Sequence, residues 1–451
     1  MRRLAAALLL ALAVPAGAPA QQPDTLALTL EQALEIARRN NPTYLRAVGR
    51  LELEGPETRA ALVSGILPSV AVNLLSTSYT GNLTRRGFDN FGNPIANPDA
   101  DYVYFSATDQ MLRLSWTLRG PSPWYGLRQL RLDSEERQLG EGAAAEALRR
   151  EVLRDFYDAL EQEELLAAAR DVACATRTDQ EAAQRLFELA LRSRLDVLNA
   201  ELQSEQQRLA VRRQEGAVEQ ARLRLRTRLG QGDLPPLRPA PRDIPLFDPA
   251  ELDEGELVER ATARSPLVEA ADLALRMADV AVRQSRTSYW PQLDASFNVG
   301  RSEQGNSTGS LFRLGGFGNE LYSRFSLGLS LPLFNNFFGT RVAMARTEVE
   351  RDGREDDLRA ARLEAERMAR SALVTLRDAW DGLRIAERSL AIAAEALELA
   401  REEYRLGTRD FEQLQTSVAN EASQRRALIE ARYGFVDALL DLEAAVGGPV
   451  R

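Results

Sequence analysis

The eight residues QLDASFNV at positions 292–299 decide the fold class of this chain. Their apolar members alternate with Gln, Asp, Ser and Asn, and are Leu293, Ala295, Phe297 and Val299. A period of two with one apolar and one polar face predicts a β-strand that lies between two different environments. The stretch FSLGLSLPL at 325–333 repeats the pattern, with Phe or Leu at every second position.

The first half of the chain shows the same alternation at 68–79 and 111–118. Stretches rich in Gly, Asn and Ser predict a loop within each strand pair, at 80–101 and 301–319. Each predicted strand has about 10 residues, the length of a tilted membrane-spanning strand. A soluble β-sandwich would show similar alternation, so the strands alone leave both classes of protein open.

Two long regions, 124–229 and 337–446, contain no proline and are rich in Ala, Leu, Arg, Glu and Gln. Apolar residues recur three or four positions apart in both, which predicts amphipathic helices. An unbroken helix of ~105 residues would reach about 160 Å. We therefore expect each region to fold back on itself as an antiparallel helical pair.

The two halves resemble each other along their length. Residues 34–42 resemble 258–266, Leu67-Pro68 matches Trp290-Pro291, and Phe187 with Ser193 matches Tyr404 with Asp410. The sequence thus divides into a signal peptide at 1–20, a first repeat at 21–229, a Pro-rich linker at 230–253 and a second repeat at 254–451. Each repeat is expected to hold a helix, a strand–loop–strand unit and a long helical hairpin.

The N-terminus and the charge composition limit the possible functions. Arg2 and Arg3, an apolar run at 4–14 and small residues up to Ala20 form the pattern of a cleavable secretory signal. Without these two arginines, the 57 basic residues fall to 55 against 66 acidic ones, a net charge of −11. This charge argues against nucleic-acid binding. Cleavage after Ala20 would place Gln21, and not a cysteine, at the start of the mature chain, so we expect no lipid anchor.

The side chains that most catalysis depends on are nearly missing. The chain has no His, all its basic residues are Arg, and its one cysteine is Cys174. Acid–base, Schiff-base and thiol chemistry and soft metal sites therefore have few residues to use. We expect no enzyme, and predict no catalytic, cofactor-binding or metal-binding residues.

Four amphipathic strands cannot close a barrel, and an open sheet edge is forbidden in lipid. Other chains must therefore close the sheet. Three copies would give twelve strands, enough to surround an open lumen. The apolar stripes of the long helices also need neighbours, and a ring of helices from several copies would supply them.

The residues 28–34 (LTLEQAL), Leu67-Pro68, Trp290-Pro291 and 404–408 (YRLGT), with the order of elements, resemble the TolC-like outer-membrane efflux family. The resemblance covers residues 21 to about 447. It implies a mainly α fold with β: a homotrimer with a twelve-stranded barrel in outer-membrane lipid, a long periplasmic α-helical barrel and an equatorial collar. It also implies passive export, with substrates delivered by a periplasmic adaptor and an inner-membrane pump of the RND, ABC or MFS type.

The resemblance further implies a gate at the periplasmic ends of the helical hairpins. The offset that aligns Phe187 with Tyr404 places the predicted ends near 161–171 and 378–388, where Glu164 and Asp381 are equivalent. We hypothesise that Asp381, and less strongly Glu164, form acidic rings in the lumen; solvated helix charges are the alternative. Tyr404 and Gly407 are predicted to be a helix-packing motif, with Ala190 equivalent to Gly407.

Two other functions compete with the channel. A soluble periplasmic coiled-coil adaptor or scaffold would explain the signal and the helices, but would leave four apolar-faced strands without a role. A hydrolase using paired carboxylates is the other. Its acidic residues would have to converge in a cleft, whereas here they are scattered along helix faces.

Overall fold

The computed structural model describes residues 26–450, except 86, 90, 97–99, 191–192, 231–236, 306–320 and 332–336. The predicted signal peptide and Pro235 and Pro236 of the predicted linker lie outside the described residues. None of the described helices is both long enough and apolar enough to cross a bilayer.

Both halves contain a short strand, short helices, two long strands and two long helices in the same order, with three short helices in the first half and two in the second. The first half consists of β1 (Leu26–Leu28), α1 (Leu30–Asn40), α2 (Pro42–Leu51), α3 (Glu54–Ile66), β2 (Ser69–Arg85), β3 (Ala100–Arg119), α4 (Ser122–Glu188) and α5 (Arg194–Arg228). The second half consists of β4 (Leu237–Pro239), α6 (Glu254–Arg264), α7 (Pro266–Arg286), β5 (Gln292–Gly305), β6 (Leu321–Ser330), α8 (Phe337–Leu406) and α9 (Phe411–Val446). The fold is mainly helical with some sheet, as predicted.

A polar residue followed by proline breaks the first helices of each repeat at equivalent places. Proline lacks the N–H that a helix interior needs, but suits the first position of a new helix. The side chain of Asn41 accepts hydrogen bonds from the backbone N–H groups of Thr43 (2.9 Å) and Tyr44 (3.1 Å) and so caps α2. Ser265 caps α7 in the same way, through the N–H of Val268 at 3.3 Å.

The four long strands form one antiparallel sheet in the order β2-β3-β5-β6. β3 pairs with β5, so the sheet joins the two repeats, and Leu114 lies opposite Phe297. The strands are longer than predicted: β2 continues to Arg85 and β3 begins at Ala100, so the 80–101 stretch is not all loop. Backbone pairing of β2 with β3 continues there without apolar alternation, for example between Thr80 and Phe105 and between Asn82 and Val103.

Each helical hairpin turns between its two helices: α4 ends at Glu188 and α5 begins at Arg194, and α8 ends at Leu406 and α9 begins at Phe411. The prediction of hairpin ends at 161–171 and 378–388 is therefore wrong, since both ranges lie inside continuous helices. The arms of each hairpin are unequal. The 67 residues of α4 span about 100 Å, whereas the 35 residues of α5 span about 50 Å.

The main hydrophobic core lies where the short elements pack against the long helices. Leu28, Leu30 and Leu237 from the β1, α1 and β4 region meet Phe156 of α4 and Tyr433 of α9. A second core joins α6, α8 and α9 around Phe435, which is fully buried. Burial of these apolar side chains fixes the short elements as a collar on the long helices.

A left-handed glycine ends each returning helix against its own repeat. Gly230 (φ +74°) follows α5 and lies against the α1–α2 junction, where an added Cβ would be 2.4 Å from the Asn40 carbonyl oxygen. Gly447 (φ +79°) follows α9 and meets the α6–α7 junction at Arg264 in the same way. The close approach requires glycine at both places.

Candidate functional site

One face of the four-stranded sheet is apolar and exposed. Directly paired residues lie on the same face, and on this face the register aligns Val72 with Leu112, Trp116 with Ala295, and Phe297 with Phe325. Leu74 of β2 and Leu329 of β6 are 76% and 72% exposed. An exposed apolar patch of this extent marks a surface that contacts lipid or another protein.

The opposite face of the sheet is polar. Ser69, Ser115, Ser296 and Ser326 are aligned across all four strands. The hydroxyls of Ser69 and Ser115 are 2.7 Å apart, as are those of Ser296 and Ser326. Thr117 donates to the Asp294 carboxylate at 2.9 Å. One face of the sheet is therefore apolar and the other polar, as the alternation in the sequence predicts.

The sheet is open within the described part of the chain. β2 and β6 each pair with one strand there, so each leaves one row of backbone N–H and C=O groups without a strand partner. Such an edge readily pairs with a strand of another chain.

The long helices form a layer with two similar margins. α4 packs against α5 and α9, and α9 packs against α8, so α5 and α8 lie at the margins of the layer. Exposed apolar residues recur every seven positions along α5, at Leu195, Leu202 and Leu209, with Leu223 two repeats further on. The α8 stripe has the same spacing, at Ile385, Ile392, Leu399 and Leu406. A period of seven is typical of helices that pack along their length.

The contacts between the two repeats have a direction. Within the chain, the second strand of the first repeat (β3) pairs with the first strand of the second repeat (β5). Likewise α4 of the first repeat packs on α9 of the second, and α7 packs on both α8 and α4. In the second repeat, β6 and α8 are the equivalents of β3 and α4. For them to make the same contacts, the first repeat of another copy would have to lie next to β6 and α8.

Residues 257–448 match the family model described as outer membrane efflux protein. These residues form an outer membrane efflux protein domain. The resemblance to the TolC-like outer-membrane efflux family that the sequence predicts is thereby confirmed. The family is one of outer-membrane proteins.

Known proteins extend the likeness to most of the chain. The protein CyaE of Bordetella pertussis (strain Tohama I) is 28% identical over 385 residues, which cover 83% of this chain and 73% of CyaE. The crystal structure of CusC has a TM-score of 0.75 at 16% identity and covers 93% of this chain and 92% of CusC. The CmeC outer membrane channel of Campylobacter jejuni has a TM-score of 0.73 at 15% identity and covers 93% of this chain and 85% of CmeC. The two structures establish a shared fold.

The two predicted gate residues, Glu164 in the first repeat and Asp381 in the second, lie far from the turns of the helical hairpins. Glu164 is on α4, which continues to Glu188, and Asp381 is on α8, which continues to Leu406. Each separation corresponds to roughly 35 Å along a helix. Glu164 accepts hydrogen bonds from Arg432 of α9 at 3.0 Å and from the Tyr433 hydroxyl at 3.1 Å. Asp381 is exposed and makes no ion pair with any residue that the structure describes.

Tyr404 and Gly407 lie at the end of the second hairpin. Tyr404 is 3% exposed and its ring packs edge-on against Phe411 across the turn, with centroids 5.8 Å apart. Gly407 adopts φ +84°, and the N–H of the next residue, Thr408, donates to the Glu403 carbonyl at 3.1 Å. The pair therefore closes the α8–α9 turn: one residue packs inside it and the other supplies its left-handed backbone.

Capping residues mark both turns, and sequence reasoning did not use them. Ser193 and Asp196 form a capping box at the start of α5, and the Asp410 side chain accepts from the N–H of Gln413 at the start of α9. A Ser or Asp three residues before an acidic or amide side chain is a helix-start signal. This signal could have placed both turns.

Proposed function

We propose that this chain is one subunit of a homotrimeric outer-membrane exit channel. It passively conducts substrates that an inner-membrane transporter and a periplasmic adaptor deliver, in a tripartite efflux pump or a type I secretion system. The observation that carries the proposal is the two-faced sheet with both edges open, continued by a helical layer whose two margins carry matching apolar stripes. The family match supports an outer-membrane efflux role.

The apolar face of the sheet is suited to lipid. β6, the shortest of the four strands at 10 residues, reaches about 33 Å, enough to cross the hydrocarbon core of a bilayer when tilted. The polar face, with its row of serines, would then line a water-filled lumen. A soluble adaptor or scaffold would leave the apolar face in water, at an unfavourable free energy.

Continuation of the internal repeat gives the contacts between copies. By the equivalence of the two repeats, the pairing of β3 with β5 inside one chain predicts that β6 pairs with β2 of the next copy. In the same way, the packing of α4 on α9 predicts that α8 packs on α5 of the next copy. Trp116 of β3 lies opposite Ala295 of β5. The repeat makes Leu331 the equivalent of Trp116 and Val72 the equivalent of Ala295, so Leu331 should lie opposite Val72 of the next copy. Head-to-tail contacts of this kind form a ring when the rotation closes. Three copies give twelve strands, in line with the resemblance to the TolC-like family.

The turns of the hairpins are the proposed contact with the adaptor. Leu189 at the first turn is 68% exposed, and Leu406 at the second is similarly exposed. Both lie at the end of the helical layer farthest from the sheet, where a periplasmic partner would approach. Apolar side chains exposed at such an end favour a protein partner over water.

Asp381 is the proposed member of an acidic ring in the lumen, at a level of the helical layer that lies well away from the hairpin turns. Because Glu164 is already paired with Arg432, Asp381 is the better candidate to face the lumen with a free charge. Three such carboxylates would attract cations. Asp381→Ala is expected to reduce cation preference in single-channel recordings, and an unchanged preference would remove this hypothesis.

Two adjacent residues of β6 test the orientation of the sheet. Leu327→Arg places a charge on the apolar face, where an arginine at mid-membrane costs about 2–4 kcal/mol. We expect it to reduce the amount of assembled protein in the outer-membrane fraction. Ser326→Arg is the matched control on the polar face, and should assemble normally and lower cation conductance in planar bilayers. If Leu327→Arg assembled as well as the wild type and the purified protein formed no pores, the channel proposal would be wrong.

A further inference from the structure

A half-buried carboxylate on α4 is repelled by four other carboxylates at a contact between the two repeats. Glu161 lies at the α4–α9 seam, which we define as the contact of Phe156 and Leu160 on α4 with Tyr433 and Val436 on α9. Within the part of the chain that the structure describes, Glu161 makes no ion pair and accepts no hydrogen bond. A carboxylate in this position loses hydration without gaining a partner.

Four carboxylates act on Glu161 from the two helices. They are Asp158 and Glu164 on α4, and Glu430 and Asp437 on α9. Burial first, and repulsion from these four charges second, raise the pKa of Glu161 to about 7. Burial also raises the pKa of Asp437, against the opposing effect of Arg154.

The arginines near the seam are engaged elsewhere. Arg224 of α5 pairs with Asp158, and Arg432 of α9 pairs with Glu164 at 3.0 Å. Arg154 lies 3.7 Å from Asp437 and also pairs with Asp441. Burial and Glu164 raise the pKa of the Tyr433 hydroxyl far above its usual value, so that it stays a donor to Glu164. Each of these cations and donors thus has another carboxylate as its acceptor, and none of the described ones is left to donate to Glu161.

We infer that the α4–α9 seam is a proton-dependent joint between the two repeats, packed tightly when Glu161 carries a proton and loosened when Glu161 is ionised. The apolar core of the seam holds the helices together in both states, so the proton adjusts the packing and does not separate the subunit. Because α4 and α9 are the central pair of the helical layer, a looser seam changes how the two repeats meet along the proposed bore. The inference concerns one chain and does not depend on the number of copies.

The direction of the pH effect follows from linkage. The packed seam binds the proton of Glu161 more tightly than a seam open to water, where the carboxyl returns to its ordinary pKa. Its contribution to packing is therefore fully present below about pH 4.5 and is lost as the pH rises through about 7. Linkage between a pKa of 4.5 and one of about 7 gives roughly 27-fold between about pH 5.5 and about pH 8. Because Glu161 is only half-buried, solvent screening reduces the expected loss in the closing equilibrium to roughly tenfold.

Hydrogen exchange of the full-length protein in detergent tests the inference. Peptides that cover 155–165 and 429–438 should lose about tenfold in protection over this pH interval, after correction for intrinsic exchange rates. Glu161→Gln, which is neutral at every pH, should stay protected throughout. Glu205→Gln is the matched control, because Glu205 is exposed on α5 and pairs with Arg208, and it should keep the wild-type response.

A second variant separates proton binding from a general effect on folding. Glu430→Gln removes one of the charges that repel ionised Glu161. Because Glu161 then ionises more readily, the midpoint of the wild-type response should move to lower pH. An unmoved midpoint, a shift to higher pH, or a pH response retained by Glu161→Gln would each overturn the inference.

Discussion

The two hairpin turns allow a matched exchange of glycine and alanine. Gly407 has φ +84°, and its equivalent in the first repeat, Ala190, has φ +60°. A Cβ at position 407 would meet no atom within 4 Å, so the cost of Gly407→Ala comes from the backbone alone. A left-handed conformation costs a residue with a Cβ ~1–2 kcal/mol. Alanine also reduces the conformational freedom of the unfolded chain, which stabilises the folded state by ~0.4–1 kcal/mol. The net effect is a loss of about 1 kcal/mol in the stability of the turn.

The reverse exchange should have the opposite effect. Ala190→Gly relieves the same backbone conformation and is expected to stabilise the first turn by about 1 kcal/mol. The matching readout is hydrogen exchange of the amides on either side of each turn, because about 1 kcal/mol changes a local opening equilibrium about fivefold. Gly407→Ala should exchange faster around 404–412, and Ala190→Gly slower around 185–195. If Ala190→Gly exchanged faster, or if both variants changed in the same direction, the argument from backbone strain would be refuted.

Three further substitutions test the packing of the collar. Phe435→Ala should destabilise the chain by about 3–5 kcal/mol, because the ring is fully buried with Phe247 and Trp380 at centroid distances of 5.6 and 5.7 Å; thermal melting in detergent measures this. Ser265→Ala should lower the free energy of unfolding by about 1 kcal/mol, because it removes a helix cap. Asn41→Ala should lower it by more, because Asn41 caps α2 through two N–H groups and also donates to the Arg228 carbonyl at 2.9 Å. Equal losses in urea titrations of the two variants would contradict the role given to that third hydrogen bond.

The faces of the strands could be predicted because alternation is a local property. Leu293, Ala295 and Phe297 lie on the apolar face, as their period of two requires. The lengths of the strands could not be predicted in the same way. The residues that extend β2 and β3 beyond 80 and before 111 are held by the neighbouring strand, and no alternation of their own indicates a strand.

The turn positions show where reasoning from the repeat failed. A constant offset between the repeats relates one turn to the other, but it does not say where along the helix either turn lies. The predicted ends lie near the middle of each long helical region, whereas α4 is about twice as long as α5. Ser193, Asp410 and Gly407 carried the missing information as helix caps and a helix stop.

The environment of Glu161 lay beyond sequence reasoning altogether. Its neighbours Glu430 and Asp437 belong to the other repeat, far away in the chain. Only the packing of α4 on α9 brings these charges together. The collar glycines are similar, because Gly230 and Asn40 meet only in the folded chain.

A disulfide trap between the two open edges tests most directly whether copies of this chain close a ring. With exposed Cys174 replaced by serine, Val72→Cys on β2 and Leu331→Cys just after β6 are combined in one chain and oxidised in membranes. The double variant is predicted to give covalent trimers and no larger species. Each single-cysteine variant is predicted to give monomers only, because β2 should lie beside β6 of the next copy and never beside another β2. Monomers from the double variant, or covalent dimers from a single-cysteine variant, would contradict the account.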